Sequence, residues 1–191
     1  MNPNSSQLND ALLSILEQNP GLSNVLLADG TRTAQSVTQI MEPVLSAHTR
    51  CQITKYYIQA VCIDYEVFLT TNLHAEANIY ATHTASSWLI GRGSTCAIHI
   101  SEPSVSRRHA VIGYHLQDGF FIMDLGSRNG TRVNQTPLVG RARQGLQDGA
   151  LIQMGNLRLE FFTTARPQTH RVIEAGDYIT EVGQPFPPLN R

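Results

Sequence analysis

Between Gly91 and Gly130 the chain sets out three short polar clusters, each on a loop between apolar runs: Gly91-Arg92, Ser106-Arg107-Arg108-His109 and Asn129-Gly130-Thr131. Brought side by side they gather two or three guanidiniums, a hydroxyl and an amide. A guanidinium is a planar fork that donates two parallel hydrogen bonds to a phosphate, and Arg92 and Arg107 would supply the cations. Ser106 would add a hydroxyl donor. Asn129 both donates and accepts, so it can grip the main chain of an extended peptide. This donor set suits a phosphorylated side chain, which carries about -1.5 to -2 charges and three strong acceptor oxygens.

Other residues read as supports. Gly91 and Gly93 let the backbone turn tightly around Arg92 and approach a ligand, and Gly130 supplies the positive φ of a turn. His109 leads into Ala110–Ile112 and is expected to point inward, its ring fixing the loop. As a general base it would need a nucleophile or carboxylate, and none stands beside it in sequence. Taken singly, a Gly-Arg-Gly or an Asn-Gly is an ordinary strand end or turn. Order and spacing carry the signal.

The elements that must hold these loops are legible after about residue 76. Short runs rich in Ile, Val, Phe and Leu alternate with turn residues: Trp88–Ile90, Ala97–Ile100, Ala110–Leu116, Phe120–Leu125, Thr131–Val133, Ala150–Met154 and Leu157–Phe162. Asp118-Gly119 between two of them signals a hairpin. In the last run Leu157, Leu159 and Phe161 alternate with Arg158 and Glu160, predicting one buried and one wet face. Regularly spaced strands of this kind read as an antiparallel sandwich.

Upstream, residues 1–6 are polar and expected to be unstructured. Leu8, Leu12, Leu13, Ile15 and Leu16 repeat at helical spacing until Asn19-Pro20-Gly21. Val37, Ile40, Met41, Val44 and Leu45 mark a second helix, with Pro43 kinking it or opening a new one. Residues 52–69 fit a helical stripe and, in part, a strand; the reading leans to helix. The fold class is therefore α+β: a helical N-terminal region (1–73), a β-sandwich domain (74–163) and an extended C-terminal tail (164–191).

Composition narrows the function classes. The formal net charge of -1 argues against a nonspecific nucleic-acid binder. Lys55 is the only lysine against thirteen arginines, a bias that suits phosphate recognition, although a compositional bias of the source genome explains most of them as readily. The apolar runs are shorter than the roughly 20 residues of a membrane span, and no leader is evident at the N-terminus. Cys51, Cys62 and Cys96 are unevenly spaced and are expected to be buried free thiols of a cytoplasmic protein. No phosphate loop, nucleophile elbow or metal-ligand spacing is present among the seven histidines, so no catalysis, cofactor or metal is expected.

Gly91-Arg92, Ser106-x-x-His109 and Asn129-Gly130 together resemble the signature of the forkhead-associated (FHA) family, whose domains read phosphothreonine in peptides. Asp124-Leu125-Gly126-Ser127 before Arg128 and Leu146-Gln147-Asp148-Gly149 before the closing strands agree with it. The likeness covers about residues 74–163. It implies two twisted sheets with the peptide held by loops at one end. By the same resemblance Arg92, Ser106 and Arg107 contact phosphate, Asn129 holds the peptide backbone and Arg128 sits beside the site. Gly91, His109 and Gly130 support the loops.

The expected function is a phosphothreonine-dependent adaptor in Ser/Thr kinase signalling, binding a phosphothreonine protein and working beside a kinase. The alternative is an assembly protein whose sandwich binds a partner independently of phosphorylation. The apolar face of Leu8, Leu12 and Leu16 either packs on the chain's own second helix or makes a homo-oligomer. Thr31 and Thr33, flanking Arg32, are loop positions a kinase could modify.

Overall fold

The run from Tyr56 to Ile63 is buried on both faces, and that decides its structure. Ile58 and Ala60 pack into one cluster while Val61 and Ile63 pack into another on the opposite side. A strand covered on both faces loses its alternation in sequence. The helix expected over 52–69 is therefore corrected to two strands, β1 (Tyr56–Ile63) and β2 (Glu66–Thr71), paired antiparallel with Ala60 opposite Leu69. The boundary drawn at 73/74 moves with it, because both strands belong to the sandwich.

The structure is a computed structural model and describes residues 3–27, 30, 32–63, 66–73, 79–82 and 85–164. The tail expectation for 165–191 and Thr31 fall outside them. The later strands are β3 (Tyr80–Ala81), β4 (Ser87–Gly91), β5 (Ile98–His99), β6 (Ala110–His115), β7 (Gly119–Asp124) and β8 (Thr131–Val133). They continue as β9 (Thr136–Pro137), β10 (Gln144–Gly145), β11 (Ala150–Met154) and β12 (Leu157–Thr163). One sheet runs β3-β2-β1-β12-β11-β8-β9 and the other β10-β7-β6-β4-β5. The sandwich is mixed where it was expected antiparallel, since β1 lies parallel to β12 and β4 parallel to β5. Between the sheets lie Trp88, Ile90, Ile112 and Ile122 from one side and Ile58, Leu69, Ile152 and Phe161 from the other.

Three helices precede the sheets: α1 (Pro3–Gln18), α2 (Pro20–Leu27) and α3 (Ala34–Arg50). Helix begins at Pro3, so 3–6 are structured against expectation. Pro20 opens α2, where its missing N–H costs nothing. One helix runs through Pro43, and Thr33 caps it by accepting a hydrogen bond from the Ser36 N–H. Leu12, Ile15, Leu26, Met41 and Val44 bury themselves on Val61, Ile63 and Phe68, the outer face of β1 and β2. The apolar face offered for an oligomer is thus covered by the chain itself at Leu12, with Leu16 packed against the same cluster.

Two contacts fasten this layer to the closing strand. Arg50 donates to both carboxylate oxygens of Asp148 at 2.8 and 2.7 Å, with its guanidinium 4.4 Å from the Phe162 ring centroid. Glu160 was expected to be wet, yet it is buried. Its Oε1 accepts the N–H groups of Ile53 and Thr54, both at 2.9 Å, because the chain leaving α3 crosses over it.

Candidate functional site

The β4–β5 and β5–β6 loops are laced together by main chain. The Arg92 N–H donates to the Ser106 carbonyl and the Gly93 N–H to the Arg107 carbonyl, both at 2.9 Å. Gly91 is what permits this approach. A Cβ there would strike the Arg107 carbonyl oxygen and come within 2.8 Å of the Ser106 oxygen. Cys96 adds a thiol donor to the Arg107 carbonyl at 3.2 Å. Two of the thiols expected to be buried, Cys51 and Cys62, are half-buried; Cys96 is buried.

His109 ties the second loop to the third. It is fully buried, its Nδ1 accepts the Ser106 N–H at 3.0 Å, and its Nε2 lies 3.2 Å from the Gly130 carbonyl. Since a main-chain N–H only donates and a carbonyl only accepts, the ring is neutral with its proton on Nε2. Burial pushes its pKa down, opposed by the Gly130 bond and by Asp124 at 3.9 Å. The ring points inward and bonds the second loop to the third. Gly130 takes φ +74°, the conformation that favours glycine.

The third loop is built on Asp124, which the sequence reading passed over as flanking text. One carboxylate oxygen accepts the N–H groups of Gly126 and Ser127 at 2.8 Å. The other accepts the hydroxyls of Ser127 and Thr131 at 2.6 Å. Burial alone would raise this carboxyl, but these bonds hold it below the usual carboxylate range. An Asp two residues before a Gly is an Asx-turn signal, and it was readable.

Arg92, Ser106, Arg107, Arg128 and Asn129 all line one open cleft of about 970 Å³. The Ser106 Oγ accepts the Arg128 N–H at 2.9 Å, which leaves its own proton free to donate into the cleft. Asn129 spends one amide N–H on the Ser104 carbonyl at 2.8 Å, and its Oδ1 and second N–H make no hydrogen bond among the described residues. Ser104 is the residue that spacing did not disclose. Its Oγ also takes the Asn156 N–H at 2.9 Å and donates to Glu102, so the β11–β12 turn braces the same loop. The cleft lining contains Arg92, Arg107, Arg108 and Arg128 and no carboxylate.

Two sheets closed over one core, with every hydrogen-bonding loop of interest at one end, define a sandwich module that presents a cationic cleft. The FHA domain model matches residues 88–155, and the chain carries a domain of that family. The Oxoglutarate dehydrogenase inhibitor of Corynebacterium efficiens is 43% identical over 72 residues, covering 37% of this chain and 47% of that protein. Glycogen accumulation regulator GarA of Mycolicibacterium smegmatis is 39% identical over 74 residues, 38% of this chain and 44% of its own. The chain thus spans about half the length of the bacterial relatives named here. Among solved structures, the FhaA FHA domain complexed with the intracellular domain of Rv3910 is 28% identical, covering 54% of this chain and 94% of its own, with a TM-score of 0.38. The names of these two relatives are those of an inhibitor and a regulator. Among the described residues no helix is long and apolar enough to cross a membrane.

Proposed function

We propose that this chain is a phosphothreonine-dependent interaction adaptor in Ser/Thr kinase signalling. The observation that carries the reading is the single cleft in which Arg92, Ser106, Arg107, Arg128 and Asn129 meet. Arg92 and Arg107 neutralise the phosphate, the free Ser106 proton fills one oxygen, and Asn129 sets the register of the peptide. Arg128 stands beside the phosphate, its backbone tied to Ser106. Catalysis finds no support in His109, whose two ring nitrogens are engaged and buried. The kinase that modifies the client is the natural companion of such a reader. Three unpaired thiols favour a reducing compartment, the cytoplasm.

The reading is tested by titrating paired phosphorylated and unphosphorylated threonine peptides, drawn from a degenerate library, against the full chain. Only the phosphorylated pool is expected to bind. Arg92→Ala should lose on the order of 2–4 kcal/mol of phosphopeptide affinity while its circular dichroism spectrum stays unchanged. Equal affinity for the two pools would replace this reading with phosphorylation-independent assembly.

A further inference from the structure

The cleft holds more positive charge than one phosphate requires. Arg108 lines it beside Ser94 and Thr95, on the β4–β5 loop. All three are exposed, and their side chains make no hydrogen bond or ion pair among the described residues. The position of Arg108 is set by two observations. It follows Arg107, whose carbonyl is bound by Gly93 and by the Cys96 thiol. Its charge is also felt at that thiol, where it opposes the upward push of burial on the Cys96 pKa. Arg128 belongs to the third loop, where its N–H meets the Ser106 hydroxyl. Arg108 with Ser94 and Thr95 therefore forms a cationic flank on the Cys96 side, with two hydroxyl donors and no carboxylate to neutralise it.

From this we infer that Arg108, Ser94 and Thr95 form a second anion subsite, which reads a carboxylate or a second phosphate on the same peptide as the phosphothreonine. The inference rests on the phosphopeptide reading and names its client class: an acidic or doubly phosphorylated segment. Arg108 is the chain neighbour of Arg107, and an extended peptide advances roughly 3.4 Å per residue, so the second anion falls within about three residues of the phosphothreonine. A guanidinium with adjoining hydroxyls accepts either oxyanion.

The test uses the full chain, its Arg108→Gln variant, three fluorescent peptides sharing one phosphothreonine, and an unphosphorylated copy of the glutamate peptide. One has glutamine within three residues on both sides, one has glutamate there, and one has a second phosphorylated residue among glutamines. The wild type should bind the glutamate or the doubly phosphorylated peptide about three- to tenfold tighter than the glutamine peptide, a preference that shrinks as salt is raised. Which of the two gains more identifies the source of the second anion. Arg108→Gln should lose the preference and bind the three peptides alike. Equal wild-type affinity for all three peptides overturns the subsite and leaves phosphothreonine reading intact, as does a preference that survives in Arg108→Gln. An unphosphorylated glutamate peptide that binds as tightly as its phosphorylated form overturns both readings together.

Discussion

At the scale of single residues, His109 shows how a buried ring is used for positioning. Its neutral form satisfies the Ser106 N–H and the Gly130 carbonyl at once; a second proton on Nδ1 would break the first bond and place a buried charge under the cleft, with Asp124 3.9 Å away as its counter-charge. The folded pKa is accordingly lowered, chiefly by burial. Above the ordinary imidazole value of about 6.5 the ring is neutral folded or unfolded, and His109 adds no pH dependence. As pH falls below that value the unfolded chain takes up the proton first, so stability declines toward the folded pKa. Asp124, lowered as well, adds a loss of the same sign at more acid pH. Denaturant midpoints measured from pH 8 to 5 should therefore fall with acid. His109→Gln should be less stable throughout, with a shallower fall over that window. His109→Ala should cost about 2–4 kcal/mol and weaken peptide binding with it, because it removes two buried hydrogen bonds and leaves a cavity. A variant as stable as wild type with unchanged affinity would show that the ring does not hold the loops.

Among the elements, the approach of β4 to the loop before β6 is the tightest constraint on the site. Gly91→Ala would push the Arg107 and Ser106 carbonyls away, and both are main-chain atoms with little room to move. A cost of about 1–3 kcal/mol is expected, with phosphopeptide affinity falling further than stability alone explains. Titration under fully folded conditions separates the two effects; unchanged affinity there would mean the loop shift does not reach Arg92. This element also shows what was readable beforehand. The runs at 110–116, 131–133 and 150–154 match β6, β8 and β11 closely, because one face packs on the core while turn glycines punctuate them. β1 and β2 were not readable, since the helical layer covers their outer face and erases the alternation. Glu160 misled for the same reason: its wet-face position is roofed by residues 53 and 54, a long-range contact that local pattern does not carry. The site was legible earlier than its scaffold. Guanidiniums and turn glycines announce themselves by type, whereas Ser104 works through its main-chain carbonyl and a hydroxyl, which any serine possesses.

For the whole molecule, the helical layer packs on the outer face of β1 and β2, and the two are expected to fold as one unit. β1 is interior to its sheet, paired with β2 on one side and with β12 on the other, from Tyr56 opposite Leu159 to Ala60 opposite Thr163. A fragment of residues 74–163 loses both strands. It forfeits Ile58, Ala60, Val67 and Leu69 from the core and turns β12 into an unpaired edge. No cooperative thermal transition is expected from it. A fragment of 52–164 keeps the pairing but bares Tyr57, Val61, Ile63, Phe68 and Phe162, an apolar patch of the kind that drives association. It should fold weakly or aggregate. Within the intact chain, Met41→Ala empties a fully buried position between α3 and the sheet and should cost about 2–4 kcal/mol. If layer and sandwich fold together, this helix substitution lowers the midpoint seen by far-ultraviolet circular dichroism and by Trp88 fluorescence equally, although Trp88 lies in the opposite sheet. Should the two probes separate, or 74–163 melt cooperatively near the full-length temperature, the helices are an accessory to an independent sandwich and not its outer wall.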